Sequence, residues 1–202
     1  MQTKSAAIVT GASQGIGRAT AIRLARDFEA VVLAARQEEE LRKTASAVES
    51  AGAEPFTCAL DLREPGCAWE GLKASKGAVV LISGSAALDP KPAFAAVATI
   101  NAAIIALAKA FAEQGIKDGV QVNSVVPGAV MTGRRQSFME HWAPEHGMSV
   151  AEAMKQFPER AGIARYGEPD EIAGLMAYLV SQEARWLTGA SVRMDGGEIK
   201  GI

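Results

Sequence analysis

The chain is poor in the residues that staple, ligate or anchor a protein. Only two of its 202 residues are cysteine, Cys58 and Cys67. They stand apart without metal-ligand spacing, so reduced thiols, no metal site and a reducing, cytoplasmic setting are expected. Histidine and tyrosine are equally scarce, two of each. Charge is nearly balanced, with 21 Lys and Arg against 23 Asp and Glu for a net of −2. That balance supplies no basic stripe, so neither nucleic acid nor an anionic membrane is an expected partner. No charged segment followed by an apolar core opens the chain, and no run of about 18 residues is apolar without polar interruption. No repeat or low-complexity tract is visible. What remains is 49% apolar and 22% charged residues, an ordinary globular α/β composition. The length suits one domain over 1–202, since roughly 100–200 residues per domain is usual. A chain of this size buries roughly 70% of its unfolded surface and needs no staple.

Strand-like and helix-like segments alternate, the pattern of a parallel sheet covered by helices on both faces. The spacing predicts strands at Ala6–Thr10, Ala30–Ala34, Pro55–Leu60, Gly77–Ser83, Val120–Val126 and Ala190–Met194. Helices are predicted at Gly15–Asp27, Glu38–Ser50, Ala93–Glu113 and Ile172–Gln182. Between Phe94 and Ala112 the only charge is Lys109, so that helix needs cover on more than one side. The segment 131–162 is longer and less regular.

The most informative stretch is Thr10-Gly11-Ala12-Ser13-Gln14-Gly15-Ile16-Gly17. It joins an apolar strand to a helical pattern. Gly11 permits a tight turn, Gly15 lets backbone approach a pyrophosphate, and Gly17 lets the helix pack close to the strand. The helix start adds free N–H groups and about half a positive charge. The strand–turn–helix context makes this a dinucleotide site rather than a glycine-rich surface turn.

With these residues in place the chain resembles the short-chain dehydrogenase/reductase family over nearly its whole length. The family's TGxxxGxG signature is Thr10 to Gly17, and its acidic adenine contact falls on Asp61, followed by Leu62. Its N-x-x-x-PG element matches Asn123 through Pro127 and Gly128, with Val130 and Thr132 at the usual nicotinamide-side positions. Gly167-Glu168-Pro169, Leu187-Thr188-Gly189 and Asp195-Gly196-Gly197 resemble its C-terminal part. The resemblance implies a doubly wound parallel sheet of Rossmann type, with helices on both faces, binding a nicotinamide cofactor at the carboxyl ends of its strands. Thr10, Gly11, Ser13, Gln14, Gly15, Ile16 and Gly17 would hold the pyrophosphate. In this fold 131–162 would cover cofactor and substrate.

Cofactor choice is read from the second strand. A carboxylate there would accept from a ribose 2′-hydroxyl and repel a 2′-phosphate. The strand runs instead into Ala35-Arg36-Gln37. A guanidinium–phosphate bond contributes on the order of 1.5–3 kcal/mol, roughly a tenfold to hundredfold preference. NADP(H) is therefore expected over NAD(H), with a solvated surface arginine as the bland alternative.

The pattern breaks at the chemistry. The family relies on a tyrosine and a lysine four residues later, the lysine lowering the phenol's pKa and holding the nicotinamide ribose. Gap-free alignment puts Val97 at the tyrosine position and Asn101 at the lysine position. The catalytic serine falls on Gly84, leaving Ser83 or Ser85 as displaced candidates. Ser85 would polarise a carbonyl and Asn101 would position the ribose. Tyr178 is expected to pack in the core of its helix, and Tyr166 precedes a structural turn. His141 and His146 lie in the covering segment, and histidine titrates near neutrality.

About fifty residues that the family carries, including a central strand, are missing near Gly66. Two accounts stand: a real deletion with a re-paired sheet, or a sequence from which a mobile segment is omitted. The cost of unpairing a central strand favours the second. The expected function is hydride transfer between NADP(H) and a small carbonyl or alcohol substrate. The alternative is a non-catalytic NAD(P)-binding protein, a sensor or assembly partner. The apolar helix, and the pairing of relatives through its equivalent, point to a homo-oligomer, a dimer or tetramer.

Overall fold

The computed structural model describes residues 5–59 and 68–201. Strands and helices alternate as β1 (Ala6–Thr10), α1 (Gly15–Leu24), β2 (Ala30–Ala35), α2 (Glu38–Ser50), β3 (Glu54–Ala59), α3 (Ala68–Ser75), β4 (Ala78–Ile82), α4 (Ala95–Asp118), β5 (Gln121–Pro127), α5 (Gly133–Glu145), α6 (Val150–Ala161), α7 (Pro169–Val180) and β6 (Ser191–Met194). The element types agree with the sequence pattern, and the ends shift for local reasons. α1 stops at Leu24, whose carbonyl takes the N–H groups of Asp27 and Phe28. α4 runs past Glu113 to Asp118, where Gly119 closes it in the left-handed conformation. α7 starts earlier than expected, at Pro169, with Asp170 and Glu171 in its first turn. Leu60, the expected end of the third strand, lies outside the described residues.

The chain forms two compact units. The first comprises Met1–Gly66, Thr132–Arg134 and Glu168–Ala177. Here β2 lies between β1 and β3, all parallel. Val31, Leu33 and Ala34 of β2 are buried, which is why this strand is a continuous apolar run rather than an alternating one. α2 buries Leu41, Thr44 and Val48 and carries its charges outward, Glu38 on Arg42 and Glu40 on Lys43. β1 is an edge strand, and Ile8 on it is 68% exposed.

The second unit comprises Cys67–Met131, Arg135–Gly167 and Tyr178–Ile202. β5 lies between β4 and β6, again all parallel. Every residue of β5 is buried. Asn123 donates its amide to the Leu187 carbonyl at 2.6 Å and accepts the Ala190 N–H at 3.1 Å. Gln121 donates to the carbonyls of Ala184 and Leu187. These buried amides fix the loop that leads into β6. The segment 131–162 is organised as α5 and α6, which share a core of Met139, Ala143 and Ala153. The described strands thus form two three-stranded parallel sheets, β1-β2-β3 in the first unit and β4-β5-β6 in the second.

α4 packs Ala108 and Ala112 onto Val120 and Val122, with Val79, Leu81, Trp69 and Leu72 around them. Its other side has no cover among the described residues: Val97, Ile100, Leu107, Phe111 and Ile116 are exposed. By length and composition Pro92–Asp118 would suffice to cross a membrane, and 11% of its most apolar stretch is buried. Tyr178 departs from expectation as well, being half exposed on α7 rather than in the core.

α3 is tied to α4 through one carboxylate. The Trp69 indole N–H donates to Asp118 Oδ2 at 2.8 Å, the Gln114 amide donates at 2.9 Å, and Lys73 Nζ lies 3.9 Å from Oδ1. The Gln114 and Trp69 donors hold the Asp118 carboxyl below its ordinary range. A group with a depressed pKa stabilises the fold above its unfolded value and loses that effect as pH falls through the folded one. Asp118→Asn is therefore expected to lower the Tm at pH 7, and the gap to wild type to close as pH falls below about 4. A thermal-unfolding series that finds the same gap at pH 7 and pH 3 would exclude the carboxylate from this contact.

Candidate functional site

In the first unit β1 ends at Thr10 and α1 begins at Gly15, with the glycine turn between them. Gly11 has φ +67° and Gly15 φ +55°, a region that side chains rarely adopt. A Cβ on Gly17 would lie 2.3 Å from the Gly11 carbonyl oxygen, so the helix touches the turn backbone to backbone. The turn is braced from behind. Ala12 donates its N–H to the Ala34 carbonyl at 3.3 Å, and the Thr44 hydroxyl donates to the Ala12 carbonyl at 3.0 Å. Ser13 is buried and Gln14 exposed. Gln14 makes no side-chain cap, and the first turn of α1 holds no acid. The leading N–H groups are then available to an anion, in a field that attracts one.

Two further predicted residues belong to this unit. The methyl group of Thr132 stands 3.5 Å from where a Cβ on Gly15 would be, so Thr132 borders the turn. Arg36 directly follows β2, exposed and without an ion-pair partner among the described residues. Glu38 and Glu40, the acids that follow it, are engaged by Arg42 and Lys43. A donor-lined turn, a helix start and a free guanidinium fit a phosphorylated dinucleotide. Asp61 and Leu62 lie outside the described residues.

In the second unit Pro127, Gly128 and Val130 continue from β5. Gly128 sends its N–H to the Met194 carbonyl at 3.1 Å, prolonging the ladder with β6. Val130 is buried and bridges to Gly167, whose N–H donates to Ala129 O at 2.9 Å and whose carbonyl accepts from Met131 at 2.8 Å. The turn is also gripped from the C-terminal side: Ala129 N–H donates to Glu198 Oε2 at 3.0 Å. Sequence reasoning missed Glu198, because nothing in Gly196-Gly197-Glu198 shows that the chain folds back.

Of the residues that the sequence alignment singles out, Ser83, Gly84 and Asn101 do meet. The Ser83 hydroxyl donates to the Asn101 carbonyl at 2.8 Å. A Cβ on Gly84 would lie 2.9 Å from Asn101 Nδ2. The Asn101 amide therefore occupies the space where a side chain at position 84 would begin. Ser85 opens a short turn, Ser85–Ala87, and is half-buried. Val97 is exposed and has no proton to donate. A cleft of about 410 Å³ lies beside a different stripe of the same helix, along Ala95, Ala98, Thr99 and Ala102.

The substitute proton donors are held elsewhere. His141 and His146 are exposed, each bonded through Nδ1 to a backbone carbonyl one turn back, Ser137 O and Trp142 O. His146 also stacks on Trp142 at 3.9 Å. Tyr166 is buried with Ala129 and Ile163, its hydroxyl 3.8 Å from the sulfur of Met154. Burial pushes its phenol above the ordinary range, the opposite of activation.

Comparison with known proteins agrees with this geometry. Residues 5–70 match the family described as short chain dehydrogenase, and residues 67–198 the family described as Enoyl-(Acyl carrier protein) reductase. The uncharacterized oxidoreductase YvaG of Bacillus subtilis (strain 168) is 25% identical over 254 aligned positions, covering 97% of this chain and 96% of that protein. More than fifty of those positions face no residue of this 202-residue chain. The crystal structure of YwfH, described as an NADPH dependent reductase involved in bacilysin biosynthesis, superposes with a TM-score of 0.89 at 24% identity, over 99% of this chain and 100% of that one. An NAD+-bound xylitol dehydrogenase superposes at 0.83 with 23% identity, over 96% and 98%. These likenesses establish a Rossmann-type α/β fold.

The turn makes a graded prediction. Gly11→Ala meets open space and only backbone strain, and is expected to cost about 1 kcal/mol. Gly17→Ala drives a methyl into a carbonyl and is expected to cost more than about 2 kcal/mol. Urea unfolding measures both, and equal costs would mean that the close approach of α1 to the turn does not constrain the fold.

Proposed function

The chain belongs to the short-chain dehydrogenase/reductase family, and from that membership we propose that it binds NADP(H) and moves a hydride between the nicotinamide and a small carbonyl or alcohol. The observation that carries the proposal is the Thr10–Gly17 turn, with its uncapped helix start and Arg36 standing where NAD(H) recognition would place a carboxylate. Thr10, Gly11, Ser13, Gln14, Gly15, Ile16 and Gly17 take the pyrophosphate through backbone N–H groups and short side chains. Arg36 takes the 2′-phosphate, and Asp61 with Leu62 the adenine. Pro127, Gly128, Val130 and Thr132 take the nicotinamide side. When bound, the reduced nicotinamide supplies the hydride. Ser85 offers a hydroxyl to a substrate carbonyl, and the Asn101 amide offers a neutral donor to the ribose. YwfH, described as NADPH dependent, supports the cofactor, while the NAD+-bound xylitol dehydrogenase shows that the fold alone does not choose.

The uncovered apolar side of α4 is the surface we assign to self-association, as dimer or tetramer, in a cytoplasmic protein. A second reading, a cofactor-binding protein without turnover, is favoured by one observation. Val97 and Asn101 carry no ionisable group where the family carries two. Positioned acid–base catalysis contributes roughly 10²–10⁴-fold, so its loss is a large one.

Fluorescence titration with NADPH and NADH separates the parts. NADPH is expected to bind tenfold to hundredfold more tightly, and Arg36→Asp to erase that preference. An unchanged ratio in the variant would remove Arg36 from cofactor choice. Assay of the NADPH-loaded protein against aldehydes, ketones and quinones then decides turnover, since oxidation of NADPH refutes the non-catalytic reading.

A further inference from the structure

The backbone that leaves β5 is fixed with unusual completeness for a segment outside the sheet. Gly128 N–H is used by Met194, and the Ala129 carbonyl by Gly167. The Ala129 N–H lies beyond the last rung of the ladder, on a residue that is itself buried, where an unpaired donor is costly. Glu198 Oε2 takes it instead, at 3.0 Å.

Glu198 reaches this position because the chain reverses after β6. Gly196 and Gly197 sit at φ +63° and +81°. Asp195 Oδ1 accepts the Gly197 N–H and Oδ2 the Ile199 N–H, both at 3.0 Å. The reversed segment presses on the β5 exit with no slack. A Cβ on Gly128 would stand 2.7 Å from Asp195 Cα, Asp195 Cβ and Glu198 Oε2. Burial raises the Glu198 carboxyl, the Ala129 N–H and Arg135 oppose that rise, and Asp195 and Asp89 add to it.

We propose that Glu198 is a positioning residue for the nicotinamide side of the cofactor, its carboxylate clamping the Gly128–Ala129 peptide that this half of the ligand would meet. The proposal rests on the dinucleotide assignment above. It adds to that assignment a residue three positions past Asp195, acting through backbone rather than on the ligand. A clamp of this kind acts on one end of the cofactor only. The adenosine end is served by the glycine turn and Arg36.

Two ligands distinguish the ends: NADPH, and adenosine 2′,5′-bisphosphate, which lacks the nicotinamide. Full-length wild type, Glu198→Ala and Glu198→Gln are titrated with both. Glu198→Ala is expected to weaken NADPH by about tenfold while leaving the bisphosphate unchanged. Glu198→Gln keeps an acceptor for Ala129 and is expected to lose about twofold or less. In ligand-free protein, amide exchange of the peptide containing Ala129 is expected to quicken in Glu198→Ala and stay slow in Glu198→Gln. Equal loss for both ligands, an unchanged NADPH-to-bisphosphate ratio, or unaltered exchange at Ala129 would overturn the clamp. Wild type that binds neither ligand would instead overturn the dinucleotide assignment and the clamp with it.

Discussion

A strand that ends and a helix that begins both leave backbone N–H groups without partners, and in each unit of this protein the local structure depends on which of them are satisfied from within. At the start of α1 they are left open, with Gln14 making no cap and no acid in the first turn. At the exit of β5 they are closed, Gly128 onto Met194 and Ala129 onto Glu198. Open donors attract an anion, whereas closed donors hold a peptide plane still.

The cradle was legible in sequence because its requirements fall on single residues. Only glycine tolerates the φ of position 11 or the contact at position 17, so the pattern of glycines after an apolar strand carries the geometry with it. β2 was legible for a related reason, since a strand buried on both faces must be apolar throughout. The clamp was not legible. It joins Ala129 to Glu198 across 69 positions, and glutamate beside two glycines looks like any surface turn. Tyr178 failed differently: helical spacing gives the face a residue shares, but not whether that face has a neighbour. The same gap explains α4, whose composition demands cover that the described residues do not supply.

Position 84 and position 101 are linked by packing. The Asn101 amide lies over position 84. A serine there would need the space the amide fills. Glycine at 84 and asparagine at 101 are therefore one arrangement, further tied by the Ser83 hydroxyl on the Asn101 carbonyl. A tyrosine placed at 97 alone would have no cation at 101 to lower its pKa. What this corner retains is neutral hydrogen-bond donors, suited to holding or polarising a ligand and unsuited to giving up a proton.

The edges of the sheets bear on how the chain exists in solution. Among the described residues β1 and β4 each pair on one side within their own sheet, and both are made of small or apolar residues with no lysine and no proline to blunt them. Parallel strands are ordinarily interior, buried on both faces and flanked on both sides. An edge of this composition is a template for another strand, because its unpaired N–H and C=O groups and apolar side chains such as Ile8 and Ile82 are presented together. The exposed row on α4 adds apolar area of the kind that association removes from water. Cover on these surfaces, whatever supplies it, would remove that apolar area from water.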